Sequence, residues 1–116
     1  MTTVPALGSI GAADTREVAL AKAYWITCYR SVSDQAALAE YAKLAGPAIT
    51  AGGGRFLARG GVEKNYEAGL AQRTVIIEFD SVEQATATYE GAAYKAALDI
   101  VTKAAERDVR IVAGVA

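Results

Sequence analysis

The sequence predicts an α+β domain whose elements run strand, helix, strand, strand, helix, strand. Three observations carry this reading: short runs of β-branched and aromatic residues, two stretches with apolar residues every three or four positions, and glycine clusters that punctuate them. All of it lies within 116 residues that are 53% hydrophobic and carry a net charge of -1. That length supports one buried core without disulfides or a structural metal and leaves no room for a second domain.

Residues 1–20 come before the first element. Met1 to Ala12 is small and apolar, but it has no basic start, and Pro5, Gly8, Ser9 and Gly11 break its apolar runs, so it does not read as a secretory signal. Residues 1–20 are expected to be a mobile leader or an arm that docks on a partner subunit, and 21–116 the folded domain.

The first strand is expected over Lys22–Arg30 (KAYWITCYR), which is aromatic and β-branched and stops at Ser31, Ser33 and Asp34. Ser33 or Asp34 then caps a helix reaching about residue 51, with Leu38, Tyr41, Ala42, Ala45 and Ile49 along one face. Pro47 lacks a backbone N–H, so a kink or restart is expected near Gly46. Gly52-Gly53-Gly54 closes this helix, Arg55–Arg59 (RFLAR) forms a short second strand halted by Gly60-Gly61, and Val62 to Gln72 make a hairpin connection. Arg73–Phe79 (RTVIIEF) is the third strand, stopped by Asp80 and Ser81. Ser81 and Gln84 form a capping box for a second helix, apolar at Val82, Ala85 and Tyr89 and, past Gly91, at Tyr94, Ala97, Leu98 and Val101. Val109–Val115 closes the chain as the last strand.

This order is the ferredoxin-like split βαβ arrangement, an antiparallel sheet with both helices on one face. The other face is left bare. A large apolar patch is costly in water, and a second copy of the same chain is the cover most readily at hand, so a homodimer is expected.

Composition excludes several kinds of chemistry. The chain has no histidine and one cysteine, which removes the imidazole base of hydrolase triads, the commonest zinc ligand and any thiolate cage. No metal or cofactor site is expected. Twelve Lys and Arg are scattered among thirteen acids, with no basic footprint for nucleic acid or anionic membrane. No segment approaches the roughly 18 apolar residues that span a bilayer. A single cysteine fits a reducing compartment, and the expected location is cytoplasmic.

Strand side chains alternate, so each strand divides into two faces. Val75, Ile77 and Phe79 form the wholly apolar face of the third strand and should meet the helices, leaving Thr74, Ile76 and Glu78 on the other. With Arg59 opposite Thr74, Leu57 meets Ile76 and Arg55 meets Glu78. Trp25, Thr27 and Tyr29 are placed on that same open face, with Tyr24, Ile26 and Cys28 beneath the helices. The expected site is then Arg55, Arg59, Glu78, Tyr29 and Trp25 around an apolar chamber between sheet and partner. There a guanidinium binds a carboxylate or enolate, Glu78 serves as base if burial raises its pKa, and the aromatics line an organic ligand. Against this, cross-strand Arg and Glu pair for structure more often than for catalysis. Cys28 reads as a small buried hydrophobe, and Tyr41, Tyr89 and Tyr94 as core or pocket-mouth residues. Arg73 reads as a solvated or hairpin-pairing residue, and the glycine triplet follows a helix, the wrong order for a phosphate loop.

Three segments, GGGRFLARGG (Gly52 to Gly61), RTVIIEFDSVEQA (Arg73 to Ala85) and YEGAAYKAAL (Tyr89 to Leu98), fall in the order seen in a family of small bacterial proteins. Over about Lys22 to Val115 the chain resembles the domain-of-unknown-function family thirteen-thirty. It departs at Gly91-Ala92-Ala93-Tyr94, where that family often shows Ser-Pro-Glu-Tyr. The resemblance implies a dimeric α/β barrel, similar to cofactor-free antibiotic-biosynthesis monooxygenases and stress-responsive barrel proteins, and implies no activity.

Three functions are therefore weighed. The first is binding of a small organic acid in a pocket of the dimer barrel. The second is a cofactor-independent oxygenase or isomerase-type enzyme, in which Glu78 takes a proton and an arginine stabilises the oxyanion. The third is a purely structural dimerisation module without a ligand. The enzyme reading rests on fold analogy alone.

Overall fold

A computed structural model of the chain describes residues 21–115. The leader expected over 1–20 lies outside the described residues. The elements are β1 (Ala23–Val32), α1 (Gln35–Ala51), β2 (Arg55–Gly60), β3 (Thr74–Phe79), α2 (Val82–Glu90), α3 (Ala92–Val101) and β4 (Ala105–Ala113). The four strands form one antiparallel sheet in the order β2-β3-β1-β4, with the helices packed on one face. This is the α+β, ferredoxin-like order read from the pattern. Among the described residues no helix is long and apolar enough to cross a membrane.

Local chemistry sets the helix ends. Asp34 caps α1, its Oδ1 accepting from the Ala37 N–H over 3.0 Å, and Ser81 caps α2 by accepting from the Gln84 N–H over 3.0 Å. The chain leaves α1 through Gly53 at φ 97°, and a Cβ on Gly54 would fall 2.6 Å from Ile49 Cγ2 and 2.8 Å from Phe79 Cζ. Two glycines are thus required for different reasons: the first turns the backbone left-handed, and the second lets the turn lie against the core.

β1 runs on through Ser31 to Val32, two residues past the expected stop, and three larger features differ from the sequence expectation. The restart expected near Gly46 does not occur, because Pro47 and Lys43 both lie on the exposed side of α1. Water can satisfy the Lys43 carbonyl that the proline leaves free. The second helix is instead two helices, since Gly91 takes an extended conformation (φ -75°, ψ 159°) that ends α2 and starts α3. β4 begins at Ala105 rather than Val109. The polar stretch Ala105–Asp108, outside the expected strand, pairs with Val32 through Cys28 across a bulge.

The core lies between sheet and helices and centres on Trp25. Its ring stacks on Phe79 at 6.1 Å and meets Tyr94 and Tyr89 edge-on at 4.9 and 5.2 Å, while its Nε1–H donates to Thr27 Oγ1 over 2.9 Å. On β3 the expected apolar face, Val75, Ile77 and Phe79, does meet the helices. On β1 the phase is opposite to the expected one. Trp25 pairs with Ile77 and Thr27 with Val75, so Ala23, Trp25, Thr27 and Tyr29 are buried under the helices. Tyr24, Ile26 and Cys28 lie on the open face, and Cys28 is exposed rather than a buried hydrophobe.

Candidate functional site

The expected constellation separates onto the two faces of the sheet. Arg55 and Glu78 do oppose each other across β2 and β3. Beyond them a bulge at Leu57 shifts the register by one residue, so Ala58 faces Ile76 and Arg59 faces Val75. Arg59 therefore turns to the helix side. Trp25 and Tyr29 are on the helix side as well, through the phase of β1, and neither shares a chamber with Glu78. Alternation alone could not reveal this, because both parities of β1 carry large side chains and a one-residue bulge leaves no mark in composition.

On the open face Glu78 is fully engaged. Oε1 accepts from Arg55 Nε over 3.1 Å and Oε2 accepts from the Tyr24 hydroxyl over 3.0 Å. The same guanidinium donates to Asp80 over 3.0 Å, and Lys22 reaches Asp80 at 3.2 Å. The Tyr24 hydrogen bond, and then that of Arg55, hold the Glu78 carboxyl below the ordinary carboxylate range. Asp80 is held down in the same way by Lys22 and Arg55. A general base at neutral pH needs the opposite shift. At the far end of the face Asp108 accepts from Arg110 and from Arg30, so each cation there also has a carboxylate.

The helix side has the contrary balance. Between α1 and the sheet lies a cleft of about 270 Å³ lined by Tyr29, Leu38, Tyr41, Phe56, Val75 and, at its exposed rim, Arg59 and Arg73. Arg59 lies over the Phe56 ring at 4.4 Å to the centroid. Arg107, on β4 opposite Tyr29, sits behind the aromatic wall. Its Nη1 donates to the Tyr41 hydroxyl over 3.1 Å and its Nη2 to the Tyr94 hydroxyl over 3.2 Å, with its charge 5.1 Å from the Tyr41 ring centre. Burial works against that charge, yet the Tyr41 and Tyr94 oxygens hold its pKa above the usual arginine value. Burial likewise pushes the Tyr29, Tyr41 and Tyr94 hydroxyls above the ordinary phenol range. Among the described residues, none of Arg59, Arg73 and Arg107 forms an ion pair.

Four of these residues were not picked out from sequence. Alternation puts Tyr24 beneath the helices, opposite to its place on the open face, and Arg73 reads as a solvated or hairpin-pairing residue. Tyr41 reads as a core or pocket-mouth residue, and Arg107 falls outside the strand expected over Val109–Val115. The one usable signal for Arg107 is the alternation of Ala105, Arg107 and Val109 ahead of the apolar run, which continues the period of β4.

Comparison with solved structures places the fold among known ones. The chain is similar to a protein of unknown function from Rhodopseudomonas palustris, at 15% identity and a TM-score of 0.64 over 100% of this chain and 96% of that one. It is similar to a dimeric ferredoxin-like protein of unknown function from Thermobifida fusca, at 17% identity and a TM-score of 0.59 over 81% and 92% of the two chains. A protein from Nitrosomonas europaea put forward as an antibiotic biosynthesis monooxygenase matches at 15% identity and a TM-score of 0.56, over 84% and 92%. No curated protein matches the sequence. At these identities the structures speak for the fold. The family is given by the sequence itself: residues 22–115 match the model described as Domain of unknown function (DUF1330), and the chain belongs to that family.

Proposed function

We propose that this protein binds a small organic acid in the cleft between α1 and the sheet. One observation carries the reading: among the described residues the arginines around this aromatic cleft have no carboxylate partner, whereas the cations of the open sheet face are paired. A guanidinium beside apolar surface is best satisfied by a planar anion that it can grip with two N–H groups, and the rings and aliphatic side chains suit that anion's carbon body. The site thus moves from the chamber expected between two sheets to the helix side of one. It retains Tyr29 and Arg59 as ligand contacts and leaves Arg55, Glu78 and Trp25 to the fold.

The open face then has a separate task. It carries Ile26, Ile76 and Val112 among paired charges, and among the described residues no helix covers it, which supports association with a second copy. The Thermobifida fusca neighbour is described as dimeric, and a homodimer through this face is part of the proposal. A thermal-shift panel of small carboxylic and phenolic acids tests the binding. At one hundred times its dissociation constant a ligand adds about 2.7 kcal/mol to the native state, a clear rise in melting temperature. The shift should vanish in the double variant Arg59→Ala with Arg73→Ala and persist in Arg55→Ala. No shift with any acid would leave the dimerisation module as the better reading.

A further inference from the structure

The hydroxyls of Tyr41 and Tyr94 lie 2.7 Å apart, and each accepts from Arg107. Two phenols carry two protons. Only one can occupy the space between the oxygens, and the guanidinium, having donors alone, can accept neither. The second proton finds no acceptor among the described residues. Tyr94 is 0% exposed in the core, so a proton stranded there would have neither protein nor water to bond. Tyr41 is 9% exposed and borders the cleft. The consistent arrangement is a directed chain: Arg107 donates to both oxygens, Tyr94 O–H donates to Tyr41, and Tyr41 O–H is left for whatever enters the cleft. Burial raises the Tyr41 pKa, which keeps that proton on the oxygen at neutral pH.

We infer that Tyr41 is the hydrogen-bond donor at the floor of the cleft, oriented by Arg107 and Tyr94, and that the ligand is an oxo acid. Its carboxylate would meet Arg59 and Arg73 at the rim, and a carbonyl oxygen at its other end would accept from Tyr41. This rests on the acid-binding reading above and adds the second polar end of the ligand. Arg59 and Arg73 are exposed, Tyr41 is buried, and Leu38, Phe56 and Val75 give the cleft an apolar lining. An acid without the second acceptor leaves the Tyr41 proton unmatched and dry, which is the kind of mismatch by which polar sites reject analogues.

The test is a matched pair measured by titration calorimetry on the full chain. Para-acetylbenzoate and para-isopropylbenzoate have nearly the same shape, and only the first carries the acceptor. We expect the acetyl compound to bind about tenfold tighter, the scale of one buried hydrogen bond. Tyr41→Phe should erase the difference by weakening the acetyl compound alone. Tyr89→Phe, which removes a phenol hydroxyl from the same aromatic cluster away from the cleft, should keep it. Equal binding of the two acids to the native protein overturns the role of Tyr41 and leaves acid binding standing, and a preference that survives in Tyr41→Phe does the same. Binding of neither acid overturns the role of Tyr41, and joined to the absence of any shift across the acid panel it overturns acid binding too. The comparison on the native protein decides the matter if Tyr41→Phe does not fold.

Discussion

The Tyr24 hydroxyl donates to Glu78 Oε2 over 3.0 Å, and together with Arg55 it occupies both oxygens of the acid that β3 carries on the open face. A carboxylate bound from both sides and held below its ordinary pKa is an anchor for its neighbours. Glu78→Gln keeps the shape and removes the charge. The expected result is a modest fall in melting temperature with acid binding in the cleft unchanged. The protein should also lose part of its acid sensitivity. Since the native pKa values of Glu78, Asp80 and Asp108 are depressed, the stability they contribute is complete above the range where free carboxylates titrate, roughly pH 4. It is lost as pH falls through their lower native values. Melting curves of native protein and variant should therefore converge toward low pH. A variant as stable as the parent at neutral pH that has lost acid binding would return Glu78 to the ligand site.

The phase of β1 is the next point that mutation can settle. Trp25→Ala removes the largest fully buried ring of the core and should cost about 3 to 5 kcal/mol in denaturant unfolding. Cys28→Ala, on the open face, should stay within about 0.5 kcal/mol. The reverse ranking would restore the opposite phase.

Why the topology was legible in the sequence while half of the site was not comes down to two kinds of information. Strand and helix identity are written in local runs: RTVIIEF alternates cleanly, Ser81 and Gln84 sit at capping distance, and three glycines mark one turn. Each is decided within a few residues. The side to which a side chain points is decided across strands. In AYWITC both parities look buried, and only the pairing of Trp25 with Ile77 resolves them. The bulge at Leu57 and the early start of β4 are likewise settled by partners distant in sequence, and these two features bring Arg59 and Arg107 to the helix side. Arg55 with Glu78 was legible because no irregularity lies between that pair and the end of β3.

Dimerisation through the open face predicts a specific disruption. Val112 is 47% exposed in the single chain and pairs with Tyr24 on the open face, on the edge strand β4. Val112→Asp would place an unpaired carboxylate in a sheet-to-sheet contact, a costly burial. Sedimentation should show the native protein at twice its 12.1 kDa chain mass and the variant shifted to one chain with its fold intact by circular dichroism. A native protein that sediments as a stable monomer at micromolar concentration would sink the dimer.

The cluster of phenols around Arg107 also sets an upper limit in pH. Tyr29, Tyr41 and Tyr94 all titrate above the ordinary phenol value, first because burial disfavours the phenolate. Groups whose native pKa is raised contribute stability that is present below the unfolded value, about 10 for tyrosine, and lost as pH rises through the native value. Above pH 10 the unfolded chain releases these protons while the native chain keeps them, so Tyr41 alone should remove about 1.4 kcal/mol of stability per pH unit. Alkaline denaturation ought therefore to be steep and cooperative. Followed by ultraviolet absorbance, the buried three should ionise only in step with the loss of near-ultraviolet circular dichroism. Tyr41→Phe, with one fewer such proton to release, should give a shallower dependence on pH. A smooth titration of every tyrosine in a protein that stays folded would mean that the hydroxyls are open to water, and the directed chain from Arg107 through Tyr94 to Tyr41 would fall with it.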